Sequence, residues 1–280
     1  MLFSSHLSLD VESYMFDPHT GQFLTAVGAR GGNVEKITKI PDLVRELNVE
    51  FRLFEDVIIT CIIDEVTFTN CSFINVSFES NIFDTTFRRC HFLRCKFTGI
   101  RINGSTFETC DFSEQLSNFD SSKLDYTTFV HCFIKLVTFK RSDLSFATFE
   151  ECRLEDLMLR ESVFVRRVAD NLTHTRFRMS DSICLRTDVS RCNLGKADFS
   201  RSQFNTCSFE SSDLSSASFR AAISSEVEFK RTILEYVNFS DTDFHKSSLS
   251  FVTSWYKATV NIKTATSILK ALDFVVEKKK

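Results

Sequence analysis

The sequence predicts an all-β solenoid of about nine or ten coils. Three observations point to it: large apolar residues recur at every fifth position, a small residue stands two places before each, and the repeating stretch is nearly free of turn formers. Both prolines, Pro18 and Pro41, and four of the 7 glycines fall in the first 41 residues, while most of the 31 phenylalanines lie beyond them. A chain so poor in Gly and Pro cannot fold back through conventional turns, so the repeat itself must turn the corners.

Taking the large residue of each repeat as its centre, Phe119, Leu124, Phe129, Ile134, Phe139, Leu144, Phe149, Leu154, Leu159 and Phe164 share one frame. The frame resumes at Val189, Leu194, Phe199, Phe204, Phe209, Leu214 and Phe219, then Phe229, Leu234, Phe239, Phe244 and Leu249. Upstream the frame shifts: Ile63, Phe68, Phe73, Phe78 and Phe83 are followed by Phe87, Phe92, Phe97, Ile102, Phe107 and Phe112. The slips between Phe83 and Phe87 and between Phe112 and Phe119 imply a short repeat and a small bulge. Neither the helical period of 3.6 nor the strand period of 2 generates a spacing of five. A chain that turns a corner after each short extended face does, and four repeats then close a square coil.

Segments such as Cys71-Ser72-Phe73-Ile74-Asn75, Cys192-Asn193-Leu194-Gly195-Lys196 and Ala197-Asp198-Phe199-Ser200-Arg201 resemble the pentapeptide-repeat family, whose consensus is small, polar, Leu or Phe, polar, polar. The resemblance covers roughly residues 56 to 253. It implies a right-handed quadrilateral β-helix with centres and small residues inward and three positions of each repeat outward, stacked at the β spacing into a rod of roughly 45 Å. On this register Phe73, Phe92, Phe139, Phe149, Phe199, Phe204, Phe209 and Phe239 form the structural core.

The 10 cysteines follow the same register. All but Cys184 occupy the small inward position, and counting repeats places Cys71, Cys90, Cys110, Cys132, Cys152 and Cys192 in one column, broken where Leu172 would fall. Thiols one coil apart project in parallel, which is poor disulfide geometry, and buried Cys serves as a compact apolar filler. His91 and His131 adjoin Cys90 and Cys132 but point outward where the cysteines point inward, so no metal site is expected. The 6 histidines provide no base converging on a nucleophile. The cluster Gly28-Ala29-Arg30-Gly31-Gly32-Asn33 lacks the spacing of a phosphate-binding loop. No catalytic residue and no cofactor is expected.

One interval breaks the repeat. Between Phe164 and Val189 the frame would place Ala169, His174, Met179 and Cys184 at centres and the oversized Arg167, Leu172 and Phe177 at the small position. Either the coil is distorted there, or a loop leaves the rod and returns after a whole number of repeats. The interval gathers arginines, of which Arg166, Arg167, Arg176, Arg178 and Arg186 are the candidate partner contacts, since local failures of a sequence rule concentrate at functional sites.

Residues 1–55 read as a small α+β cap, a hairpin around Asp17-Pro18-His19-Thr20-Gly21 and a short helix over Pro41–Leu47. The β-helix is expected over 56–257, followed by a terminal element over 258–280. There Ile262, Ile268, Leu269 and Leu272 are spaced for one apolar face of a helix from about Lys263 to Leu272. With Phe274-Val275-Val276 this element resembles the terminal helix and strand of the quinolone-resistance and microcin-immunity pentapeptide proteins, which implies a cap or a homodimer contact. Lys278 to Lys280 reads as a solvated tail.

The formal charge of −3, from 34 basic and 37 acidic residues, is too balanced to favour a polyanion partner, so direct nucleic-acid binding is not expected. No apolar run approaches a membrane span, and Met1 to Tyr14 has no secretory pattern. The expectation is a non-catalytic, protein-binding scaffold made in the cytoplasm. A bacterial effector acting on host proteins fits this reading, because the Ser-containing Met1–Ser13 is compatible with Sec-independent export. The alternative, implied by the resemblance to the quinolone-resistance proteins, is a DNA mimic that protects gyrase. Mimicry of duplex charge demands a strongly negative rod, which mixed charge and an arginine cluster disfavour.

Overall fold

The computed structural model describes residues 48–112, 117–164, 177–247 and 249–272, together with the strand backbones at 15–17, 22–24, 35–37, 166–169 and 172–174. The repeat turns its corners as the spacing of five demands. The residue two places after nearly every centre adopts a left-handed backbone, for example Asn75 (φ 53), Arg141 (φ 57), Thr206 (φ 55) and Tyr236 (φ 57). Such a residue reverses the chain direction without Gly or Pro, at a steric cost that each coil recovers by stacking on its neighbours.

Each coil has four faces, and successive coils pair in parallel, giving a β-helix of about 9 turns. The first face stacks Val49, Phe68, Phe87, Phe107, Phe129 and Phe149; the second stacks Phe54, Phe73, Phe92 and Phe112 and builds the 11-stranded sheet. Rings one coil apart lie face to face, as in Phe73–Phe92 (4.9 Å, 4°) and Phe97–Phe119 (4.4 Å, 4°), while neighbouring faces meet edge to face, as in Phe87–Phe92 (5.4 Å, 72°). Both geometries suit the aromatic quadrupole. The fourth face is aliphatic as far as Phe164, with Ile63, Ile82, Ile102, Leu124 and Leu144 all buried. The eight phenylalanines assigned to the core are buried without exception.

The small inward positions carry hydrogen bonds as well as filling space. Ser142 Oγ donates to the Phe119 carbonyl (2.6 Å) and accepts from the Ser122 amide of the coil below (3.3 Å). Cys110 and Cys132 donate from Sγ to the carbonyls of Phe87 (3.1 Å) and Phe107 (3.2 Å). Ser, Thr and Cys recur here because a corner leaves backbone groups that a short side chain can satisfy in the dry interior.

Four expectations are corrected. The short repeat lies between Phe78 and Ile82, since Ile82 is buried and registers with Ile63 and Ile102, leaving Phe83 outward and half-buried. A second short repeat, Ile59 to Ile63, precedes it. Coil pairing begins before residue 56: Val49 and Phe54 are buried, Asn48–Glu50 and Arg52–Glu55 pair with the coil above, and Glu35–Ile37 pairs in parallel beneath. The thiol column comprises Cys71, Cys90, Cys110, Cys132 and Cys152 and continues into Ser182, whose Oγ accepts from the Cys152 amide. Cys192 belongs to a different column, above Ser162, because the irregular interval displaces the frame by two repeats.

Met15–Asp17 and Gln22–Leu24 form an antiparallel hairpin. The segments Gly28–Asn33, Pro41–Leu47 and Phe274–Val276 lie outside the described residues. The terminal helix runs over Ile262–Ala271, with the Asn261 side chain capping the Thr264 amide. It closes the last coil: Thr264 Oγ1 donates to the Phe239 carbonyl (2.9 Å), and the Phe244 amide donates to Ser267 Oγ (2.7 Å).

Candidate functional site

Coil-to-coil register fixes what happens in the irregular interval. Asp143 bridges to Val163, 20 residues on, whereas Val163 bridges to Asn193, 30 residues on. Two whole repeats have therefore left the rod. Within them Arg166–Ala169 and Leu172–His174 pair antiparallel, with a register shift between Arg167 and Ala169. The loop alternative holds. Ala169 and His174 are not coil centres and Arg167 and Leu172 are not small positions; all four belong to the hairpin. Met179 and Cys184 are true centres, fully buried.

The coil accommodates the excursion by exchanging volumes. Phe177 fills a small position, buried against Phe164 (4.6 Å, 73°), and the adjoining centres shrink from Phe or Leu to Met179 and Cys184, whose sulfurs meet at 3.4 Å. A volume-conserving swap of this kind keeps the interior at native density.

Arginines brace the coils on either side. Arg186 grips Asp156 with two bonds (2.6 and 2.8 Å), and Arg201 grips Asp181 likewise (2.6 and 2.6 Å). The guanidinium hydrogen bonds hold the Asp156 and Asp181 carboxyls below the usual carboxylate range. Arg186 thus serves cohesion between coils. Arg178, half-exposed at the return of the hairpin, stands 3.6 Å from Asp198. Arg166 and Arg167 lie on the first hairpin strand, and Arg176 lies outside the described residues. The interval brings Arg166, Arg167 and Arg178 to one end of one excursion and places Arg186 apart from them, at a corner of the second face.

Elsewhere cations and carboxylates pair one coil apart, as in Arg88–Glu108 (2.8 Å), Lys135–Glu155 (3.7 Å) and Arg231–Glu210. His91 turns outward towards Asp111 (3.8 Å), opposite in direction to the buried Cys90. Among the described residues no helix is long and apolar enough to cross a membrane.

Residues 182–220 match the family model for pentapeptide repeats in eight copies. That stretch carries the pentapeptide repeat. Solved structures of QnrB1, described as a plasmid-mediated fluoroquinolone resistance protein, superpose on this chain. The full-length form does so with a TM-score of 0.52 at 14% identity, covering 76% of this chain and 98% of its own. A trypsin-treated variant gives 0.55 at 16%, covering 75% and 100%. HetL, a pentapeptide-repeat protein involved in heterocyst differentiation regulation in Nostoc sp. strain PCC 7120, reaches 0.33 at 15% identity over 76% and 86%. No curated protein matches the chain significantly in sequence. Identity this low establishes shared architecture and leaves function to the chain's own surface.

Sequence reasoning passed over one surface feature. Ile58 and Ile62 are exposed on the two faces that flank the corner where the repeat shortens, Phe83 turns outward one coil on, and the nearby carboxylates Asp64, Glu65, Glu79 and Asp84 have no ion-pair partner among the described residues. The spacing of four from Ile59 to Ile63 was its only signal.

Proposed function

We propose that this pentapeptide-repeat protein is a non-catalytic protein-binding scaffold that contacts an acidic partner surface through the hairpin between Phe164 and Phe177. The carrying observation is the 30-residue coil in a rod whose neighbouring coils take 20. A solenoid gains nothing in stability from two repeats that leave its core, and an irregular segment set on a rigid rod is a usual place for recognition. Arg166, Arg167 and Arg176 fall within the excursion by position, and Arg178, though 3.6 Å from Asp198, is exposed at its return. Replacing Arg176 and Arg178 with Ala should leave the melting temperature nearly unchanged and weaken affinity capture from host and bacterial lysates at least tenfold, about 1.4 kcal/mol. Equal capture by the folded double variant would return the hairpin to a tolerated insertion.

Delivery into a host cell by a Sec-independent route belongs to the same reading and rests on Met1–Ser13 alone. A reporter fused behind that segment and retained by the producing cell would remove it. The alternative of a gyrase-protecting DNA mimic is disfavoured by the coil-to-coil ion pairs, which neutralise much of the surface instead of concentrating one sign along a face. A homodimer through the terminal helix is a further part of the proposal. Ile268 and Leu272 pack against the core, so Ile262, 87% exposed, and Leu269, 41% exposed, would carry the contact.

A further inference from the structure

One corner sets the first coils apart from the rest of the rod. Between the third and fourth faces, the steps from Ile59 to Ile63 and from Phe78 to Ile82 are one residue short. The missing residue is the left-handed one: positive φ occurs at Asn75 and Asp84 on either side, and at none of the described residues between them. In the third coil the same corner is Gly99 (φ +75), with nothing within 4 Å of the place a Cβ would take. Three successive turns therefore present this corner without the side chain that projects from it higher up, at Ser121, Arg141 and Glu161.

The bared corner is lined with apolar surface. Ile58 is 60% exposed, Ile62 is 52% exposed, and Phe83 lies outward in register with Asp64. Around them Asp64, Glu65, Glu79 and Asp84 are all exposed, and among the described residues none has an ion-pair partner, in contrast to the ladders farther along the rod. Glu65 and Asp84 occupy the next corner, between the fourth and first faces, in adjacent coils, so like charges stand one above the other, an arrangement that costs free energy until a cation arrives. In the first two coils the exposed apolar side chains are thus rimmed by carboxylates, and the exposed cations Lys96 and Arg101 enter only in the third coil, in register over Ser77 and Asn81; a patch of this kind marks a protein contact.

The occupant has to offer a few apolar side chains next to cations. This chain carries such a segment: Phe274, Val275 and Val276 followed by Lys278, Lys279 and Lys280. Fully extended, the stretch from Leu272 to Lys280 spans at most about 29 Å. The terminal helix and the bared corner sit at opposite ends of a rod of about 9 turns, roughly 40 Å apart at the β spacing. The segment cannot reach the corner of its own chain. We propose that the bared corner of one copy receives the Phe274–Lys280 segment of a second copy, joining the rods head to tail. Such a contact is heterologous, so it propagates into chains or closes into rings, and it is independent of the hairpin.

Charge reversal tests the pairing. Sedimentation velocity should be run in low salt on an Ile262→Glu, Leu269→Glu background, which removes the outer face of the helix. The parent should associate with rising concentration and dissociate in 0.5 M salt. Changing Lys278, Lys279 and Lys280 to Glu should shift the half-association concentration at least tenfold. Adding Asp64→Lys, Glu65→Lys and Asp84→Lys to the same chain should restore association. A labelled Leu272–Lys280 peptide should also bind the full chain and fail to bind the triple-lysine corner variant. A parent that stays monomeric at 100 μM, association indifferent to the tail lysines, or a peptide bound equally by both corners would overturn the proposal.

Discussion

A single inward phenylalanine touches its own coil and the coils on both sides, and this sets the value of each residue. Phe204, 2% exposed, meets Phe199 at 5.8 Å and Phe209 at 5.5 Å, both edge to face. Phe204→Ala leaves a cavity that rigid neighbouring coils cannot close, and a loss of about 3 to 5 kcal/mol is expected in urea melts. A loss below about 1 kcal/mol would contradict the register. The buried thiols give a second test. Burial pushes Cys95 up to about 12 and Cys192 and Cys207 up to about 11, from 9.0. The folded state holds these protons more tightly, so their stabilising contribution is complete below pH 9 and is lost as pH rises towards 11 or 12. Urea midpoints should fall from pH 8.5 to 10.5, at up to roughly 1.4 kcal/mol per pH unit for each thiol. A Cys95→Ala, Cys192→Ala, Cys207→Ala variant should show a flatter profile, and an equal slope would assign the alkaline loss to other groups.

The hairpin is the element whose removal is most informative. Excising residues 167–176 joins Arg166 directly to Phe177 and returns the coil to 20 residues, with Arg166 at the left-handed corner and Phe177 still at its small position. The excised protein is expected to keep the parent's circular dichroism and melt within a few degrees of it, because coil stability derives from neighbouring coils and the excised residues belong to none. Unfolding of the excised protein would instead make the hairpin a structural part of the rod.

Over the whole molecule, stability runs along one dimension, and the ends decide solubility. The last coil exposes the Phe239 carbonyl and the Phe244 amide unless Thr264 and Ser267 cover them. Truncation after Val260 should therefore uncover buried strand edge and apolar surface and cause association detectable by light scattering. Full solubility of the truncated protein as a monomer would show that the helix is dispensable as a cap. The coil-to-coil ion pairs are exposed and individually contribute little, on the order of 0 to 1 kcal/mol each, so they set surface charge more than stability.

The period of five, the inward phenylalanines and the inward cysteines were legible in the sequence because each repeat contacts the same positions in the next, which writes the fold as a local pattern. The terminal helix was legible because apolar spacing at a helical period survives at the end of a rod. What the pattern could not decide was the count of residues in each turn. Whether Ile82 or Phe83 faces inward depends on which of them registers with Ile63 and Ile102, a contact made across whole coils. The same holds for Cys192, which an unbroken frame assigns to the Cys152 column; only the departure of two whole repeats as a hairpin moves it above Ser162. Arg186 looked free in the sequence and is paired in the fold, because Asp156 lies 30 residues away along the chain and one β spacing away in space. The bared corner was hidden for the same reason: a missing left-handed residue matters only when adjacent coils lack it at the same corner, and stacking is a property of the tertiary structure alone.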